Sequence, residues 1–438
     1  MALSRRWTAA TVVLVAGIAG AFVIVPDPPQ VLTVSPEQGA ADHTSIQAAV
    51  DALGPRGGTV EVQAGRYAER VVLEDRRGVS VRARTGDQVV LDGSGLTPPD
   101  GLSGLLEVRG GARVLVAGLE LTGYRSSTGG AVPAGVVVRG GVDGVTVQDV
   151  DVHGIGAGVP QGAGEARAYG VVVRGDERRA MTDLLVTGAT VHDLTLGVGA
   201  AVSVSGNVAD WEVSDNEINR VDHTAISALG WTEAEGGLAV DRDLTRARNG
   251  TIAGNAVADV TGGANPALGP EGCTCAAGIH VDGVLEVTVR ENTVDGADSG
   301  ILVGTDDDQK PTEGVDVLDN VVLGASAGSL SVGGLEEGGR VDRVLVRGNT
   351  LEGAGALPLI SLQARLADVR VTNNTVTRTA GVGPLVQTQG AAVVLDYNSY
   401  VAEHPLFLEG ERELTSLRDW RLRTRQDGDS TLEAPSAP

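Results

Sequence analysis

Two short phrases hold the residues best suited to proton chemistry. "GIHVDG" sets His280 two positions before Asp282, and "NRVDHTAIS" sets Asp222 beside His223. A histidine can take or give a proton near neutral pH. A carboxylate can orient it, bind a metal, or serve as acid or base itself. Trp231 follows the second phrase and offers a flat face for stacking. Upstream, Arg139, Arg174 and Ser205 end the phrases "GVVVR", "GVVVR" and "AVSVS". A guanidinium can neutralise a carboxylate on a ligand and ease removal of the neighbouring proton. The expected catalytic group is therefore His280, Asp282, His223 and Asp222, with Arg139, Arg174, Ser205 and Trp231 as ligand-binding residues.

What must bring these residues together is a repeat. Opening phrases recur at Gly135, Gly170, Ala201, Ala225, Gly278, Gly300 and Ser329, and more loosely at Leu359 and Leu385, mostly about 22 to 35 residues apart. A second phrase follows each, as in "VTVRENTV", "VDVLDNVV", "VLVRGNTL" and "VRVTNNTV". Two or three short strands per unit at this period point to a parallel β-helix, in which stacked coils bury one continuous core. Strand alternation then sends positions two and four of the opening phrase inward and three and five outward. The outward pairs run Val137 and Arg139, Val172 and Arg174, Ser203 and Ser205, Ser227 and Leu229, His280 and Asp282, then Leu302 and Gly304. Arginines fall on early coils, hydroxyls in the middle, and the His/Asp pair beyond them. If the long unit after Trp231 loops out, Asp222, His223, Trp231, His280 and Asp282 converge on neighbouring coils. His153, His192, Asn219 and Asp295 fall after a later strand and read as stacked turn polars. Asn216, Asn255, Asn292, Asn320, Asn349 and Asn374 predict a ladder at a turn, where Asn tolerates left-handed backbone and bonds the main chain.

"DHTSIQAAVDALGP" predicts one short helix near 44–53, with capping-box spacing from Thr44 to Gln47 and an apolar face of Ile46, Ala49, Val50 and Leu53. It is expected to plug the N-terminal end of the helix. Before it, "MALSRR" and an uncharged apolar run of about 19 residues read as a secretory signal or an N-terminal membrane anchor over residues 1–30. The chain is accordingly expected at the cell surface or outside the cell, touching a membrane only through that segment. The coils are expected over 31–408, eleven or twelve in number. Residues 409–438 are expected to form a cap segment and a disordered tail, with "TSLRDWRLRTRQ" as a short helix.

Composition narrows the partners. The net charge is −23, which argues against nucleic acid and anionic membrane surfaces. Gly numbers 63, and Phe, Trp and Tyr make only 3% of the chain, so stacking platforms for sugars are few. Cys273 and Cys275 lie one residue apart. A disulfide across that gap is strained in extended chain, and two cysteines fall short of the four ligands of a structural zinc site; the pair is expected to be structural or incidental. No resident metal is assigned. Asp306, Asp307, Asp308 and Glu313 form an acidic loop whose hard oxygens suit calcium as a possible cofactor, or simply a solvated charge run.

The stretch "SIQAAVDALGPRGGTVEVQAGRYAERVVL" resembles the opening of exported right-handed parallel β-helix proteins of the pectate-lyase-like superfamily. "LDYNSYVAEHPLFL" and "LTSLRDWRLRTRQDGDS" resemble their C-terminal ends. The resemblance covers roughly Val31 to Ser430 and implies an all-β, single-stranded right-handed parallel β-helix. It also implies an exported carbohydrate-active protein, a monomer acting on an extracellular or cell-wall polysaccharide with lyase or glycoside hydrolase chemistry. The superfamily also holds proteins without activity, so the alternative is a non-enzymatic, envelope-associated rod that binds glycan or serves as structure. The paired aspartates with Gly-His-Gly of polygalacturonases are absent. So are the Asp-Pro-His-Glu of alginate epimerases and the Lys-plus-Arg pair of chondroitinase-like alginate lyases, and the paired catalytic aspartates of pectin esterases cannot be placed. No residue role is carried over from the superfamily.

Overall fold

The computed structural model describes residues 30–158, 166–230, 245–269, 271–305, 311–333, 339–389 and 392–435. Among these residues the chain winds through three sheets of thirteen strands each. Each coil contributes one strand to sheet I (first strand Gln30–Val34), one to sheet II (first strand Gly65–Tyr67) and one to sheet III (first strand Val71–Glu74). At the usual strand spacing the stack is roughly 60 Å long. The rungs pair in parallel, as coiling in one direction requires; the exception is the last pair of sheet III, where Phe407–Glu409 turns back against Arg412–Leu414.

The core follows from the alternation. On sheet III the inward row runs Val136, Val171, Val202, Ile226, Ile279, Ile301, Leu330, Ile360, Val386 and Phe407 in unbroken register. All are almost completely buried. A β-branched side chain suits this stack because its shape packs against copies of itself one strand away. Trp211 breaks the uniformity on sheet I. Its register partner is Gly250, and a Cβ there would lie 2.0 Å from the indole. The missing side chain of one coil makes room for the large one of the next.

The predicted asparagine ladder forms and is longer than expected. The Nδ2 groups of Asn216, Asn255, Asn292, Asn320, Asn349 and Asn374 each donate to the Oδ1 of the next rung at 2.9–3.1 Å. Asn398 continues the row and donates to Asp427. The left-handed backbone does not sit at these asparagines. It sits one residue earlier, at Asp215, Gly254, Glu291, Asp319, Gly348, Asn373 and Tyr397. The asparagines serve through their side chains, buried in the turn between sheets I and II.

Both ends are closed. Helix α1 (Ile46–Ala52) buries Ile46, Ala49 and Val50 and packs on Gln30–Val34, Gly58–Val62 and Val71–Glu74. Its cap is Ser45 rather than Thr44, and the capping carboxylate comes from Glu69, which accepts from the main-chain N–H groups of Ile46 and Gln47. The Gln47 amide takes up the open edge of sheet III, accepting from Val72 N at 2.6 Å and donating to Val72 O at 3.2 Å. Gln426 does the same at the far edge of sheet I, accepting from Leu395 N and donating to Val393 O. Helix α2 (Leu417–Thr424) forms where a helix was expected and stacks Trp420 on Phe407. The expected boundary at 408 and disordered tail are corrected in part. Thr431–Glu433 is the last strand of sheet II, paired with Ser399–Val401, because Ser430 and Asp427 complete the ladder just before it. Residues 1–29, with the expected signal or anchor, lie outside the described residues. Among the described ones no helix is long and apolar enough to cross a membrane.

Candidate functional site

His280 lies on the sheet III strand Ala277–Asp282, in register with Ser227 before it and Leu302 after it. Its inward neighbours Ile279 and Val281 are buried, so the alternation places His280 and Asp282 on the outer face as predicted. The His280 Nε2 stands 4.0 Å from Asp282 Oδ2, an ion-pair distance rather than a hydrogen bond.

His223 lies in the turn that enters the preceding sheet III strand, Thr224–Leu229. Its Nδ1 meets the Gly199 carbonyl at 2.9 Å and the Thr224 hydroxyl at 3.2 Å; a carbonyl can only accept, so Nδ1 carries the proton and Nε2 keeps the lone pair. Burial pushes the His223 pKa below the ordinary imidazole value, against the pull of the Gly199 carbonyl. The ring is thus neutral and basic at Nε2 in neutral solution. His223 and His280 line one pocket of about 210 Å³, with Thr224, Cys275, Leu302 and Ser331 among its walls. That is smaller than a drug-sized site of about 300–1,000 Å³ and suits a single ring or a short polar group.

A loop holds the pocket's wall. The chain leaves sheet II after Val260 and returns to sheet III at Ala277, and Asp298 pins both ends of this connection by accepting from Gly262 N at 2.8 Å and Ala276 N at 3.1 Å. In its middle Asn265, wholly buried, donates to Gly197 O and Asp222 O, clamping the loop against the turn that bears His223. Cys273 and Cys275 form a disulfide in this loop, with Cα atoms 5.3 Å apart. The pair is therefore structural, which spacing alone left open. The long unit from 231 to 277 is not one insertion: it contains the ordinary strands Arg248–Ala253 and Ala256–Val260, and this loop. Sequence reasoning missed Asn265 and Asp298 because both act on main-chain atoms of other coils.

The other expected members are placed differently. Asp222 does not line the pocket. Its Oδ1 accepts from Leu196 N at 2.6 Å, and burial raises its pKa to about 6. The sign follows: the folded chain binds this proton more tightly than an unfolded one, whose value is about 3.9, so stability falls as pH rises from about 4 to 6. Asp222→Asn keeps the acceptor and removes the charge. The variant is expected to gain in melting temperature over wild type at pH 7.5 and to lose that gain at pH 4. Equal differences at both pH values would overturn the assignment.

Ser205 is 6% exposed and Ser203 and Ser227 are likewise buried, with Ser227 donating to Ser203 at 2.9 Å, so the hydroxyls are not an open binding row. Val137 and Val172, outward by register, are buried beside Leu102 and Tyr169. Arg139 reaches back to Glu107 at 2.9 Å, a carboxylate it shares with Arg70 and Arg109. Arg174 is its register neighbour. At the usual strand spacing Arg139 stands four rungs, roughly 19 Å, from Asp282, too far to act on the same ligand group. Trp231 lies outside the described residues, as do Asp306, Asp307 and Asp308 of the calcium reading. Among the described residues no group of three or more His, Cys, Asp or Glu is set to hold a metal ion. His153 and His192 stack at 5.0 Å on sheet II, in the row that continues through Asn219 to Asp295, and are not part of the pocket.

No protein-family description matches the chain. Over 409 residues it is 26% identical to uncharacterized protein YwoF of Bacillus subtilis (strain 168), covering 90% of this chain and 83% of that one. Among solved structures it is similar to a GH136 lacto-N-biosidase from Eubacterium ramulus, with a TM-score of 0.54 and 12% identity over 93% of this chain and 67% of that one. It is also similar to an exopolygalacturonase from Thermotoga maritima, with a TM-score of 0.51 and 11% identity over 82% of this chain and 86% of that one. At such identities the likeness is one of fold.

Proposed function

We propose that this chain, a right-handed parallel β-helix in fold, modifies a polysaccharide by histidine-based acid–base catalysis on the outer face of sheet III. The observation that carries this is the shared pocket of His223 and His280. Two imidazoles from adjacent coils, one held neutral by burial, can divide the two proton transfers of glycan cleavage between them. His223 Nε2 is the base. His280, with Asp282 beside it to stabilise the charged ring, is the acid. The same pair serves an elimination, where the base takes a carbon-bound proton, and a hydrolysis, where it takes one from water. Carbohydrate-active neighbours in the fold support a glycan as substrate. The apolar run before Pro26 supports work outside the cell.

The test is a panel of plant, algal, animal and bacterial polysaccharides, with and without calcium, offered to the soluble chain beginning near Pro26. Ultraviolet absorbance reports unsaturated elimination products, and a reducing-end assay reports hydrolysis. Product from at least one glycan is expected. Silence across the panel from a folded protein would overturn the catalytic reading and favour a glycan-binding rod.

A further inference from the structure

A second cleft, of about 500 Å³, opens at the corner where the early strands of sheet III pass into sheet I. Glu107 beside it lies five rungs, roughly 24 Å, from His280 at the usual strand spacing, and the cleft's nearest lining coil three rungs, roughly 14 Å. Two of its lining arginines, Arg109 and Arg139, are held by a buried hub. Glu107 has no solvent exposure and takes Arg70, Arg109 and Arg139 at once, at 3.3, 2.6 and 2.9 Å. The guanidiniums are thereby held in fixed positions over three coils. Arg77 and Arg179 complete the cationic lining, and Glu74, Asp75, Asp176 and Glu177 face them. Two of these acids are anchored on the main chain, Asp176 by Gly140 N and Glu177 by Gly141 N. The corner is narrow by necessity. A Cβ at Gly111 would lie 2.0 Å from Arg76 O, and one at Gly141 would strike the stem of Arg179, which lies across it.

We infer that this cleft is a separate binding site for an uncharged, hydroxyl-rich segment of a glycan. The lining holds four guanidiniums and four carboxylates and no aromatic ring. An anionic polymer would meet the four carboxylates, in a chain already at −23. A cationic one would meet the arginines, and an apolar ligand would have to desolvate both. A pair of neighbouring hydroxyls suits the alternation: guanidinium N–H groups donate to the oxygens, and carboxylates accept from the O–H groups. The polymer rests on the preceding reading; the sugar class rests on the cleft alone. Buried Val137, Val172 and Ser203 separate this cleft from the histidine pocket, so the two engage different parts of a long chain and favour polymer over short fragments.

Arg77→Ala/Arg179→Ala leaves the Glu107 hub intact. Calorimetric titration would compare a neutral galactomannan, a xyloglucan and a β-glucan with polygalacturonate and a sulfated dextran. Wild type is expected to bind a neutral glycan, with little change between about 50 and 500 mM sodium chloride. The double variant is expected to bind it at least about tenfold more weakly. Binding of acidic polymers alone, neutral binding indifferent to the double substitution, or no binding at all would each overturn the inference. Arginine-dependent neutral binding without product from any glycan would sink the catalytic reading and leave this one standing.

Discussion

Asp427→Ala is expected to destabilise the C-terminal coils by about 3 to 6 kcal/mol, more than any single truncation of an exposed residue. The side chain is wholly buried and closes the asparagine ladder. Its Oδ1 accepts from Asn398 Nδ2 at 3.3 Å, Tyr400 O–H at 3.0 Å and Ser430 O–H. Its Oδ2 accepts from Trp420 Nε1 at 2.8 Å. Burial, with this carboxylate beside it, holds the Tyr400 pKa well above the usual phenol range, so the phenol remains a donor throughout the working pH range. Alanine leaves four buried donors without an acceptor. Asp427→Asn keeps Oδ1 but turns an amide toward the indole N–H, and is expected to cost about half as much. Hydrogen exchange should show early opening from Asn374 to the C-terminus and an unchanged N-terminal half, since each coil touches only its neighbours. Uniform loss of protection along the rod, or none, would refute the cap's role.

His280→Ala is expected to lower kcat/KM on any glycan that is turned over by about 10²- to 10⁴-fold, with folding unchanged because the ring is partly exposed and leaves the inward row intact. His223→Ala should lose as much, and the double variant little more, because the two transfers belong to one reaction. The pH profiles separate their roles. Burial lowers the His223 pKa, so the basic form should persist below the ordinary imidazole value of about 6.5 and set the acid limb of kcat/KM there. An acid limb above that value, or activity that survives both substitutions, would remove the histidines from the chemistry.

Why the outer row was legible and its neighbours were not comes down to phase. The repeat fixes which residues share a face, so His280 and His223, far apart in sequence, could be placed on adjacent coils before any coordinates. Burial on that face obeys no period. Ser205 and Val137 point outward yet are covered, and nothing in "AVSVSG" or "GVVVR" encodes the cover. Nothing in "LLEVRG" singles out Glu107; it is buried where Arg70 and Arg139, on other coils, close over it. Asp222 and Arg139 lie away from the histidine pocket for the same reason: each is held by a partner about 30 residues away, Leu196 N in one case and Glu107 in the other. The ladder shows the converse. Its asparagines were visible as a repeat, but Asp427 terminates it once, and an event that happens once has no period to betray it.

A solenoid assembled by repetition carries no instruction about when to stop. Here the stop is made by two counterfeit peptides, the amides of Gln47 and Gln426, each offering an open strand one donor and one acceptor in place of another rung. The count of coils is therefore an adjustable quantity rather than a property of the core. Adding or deleting one whole turn between the cleft and the histidine pocket would leave both terminators untouched. It would change the spacing between them in steps of a single rung, so the separation of the two clefts is quantised by the architecture itself.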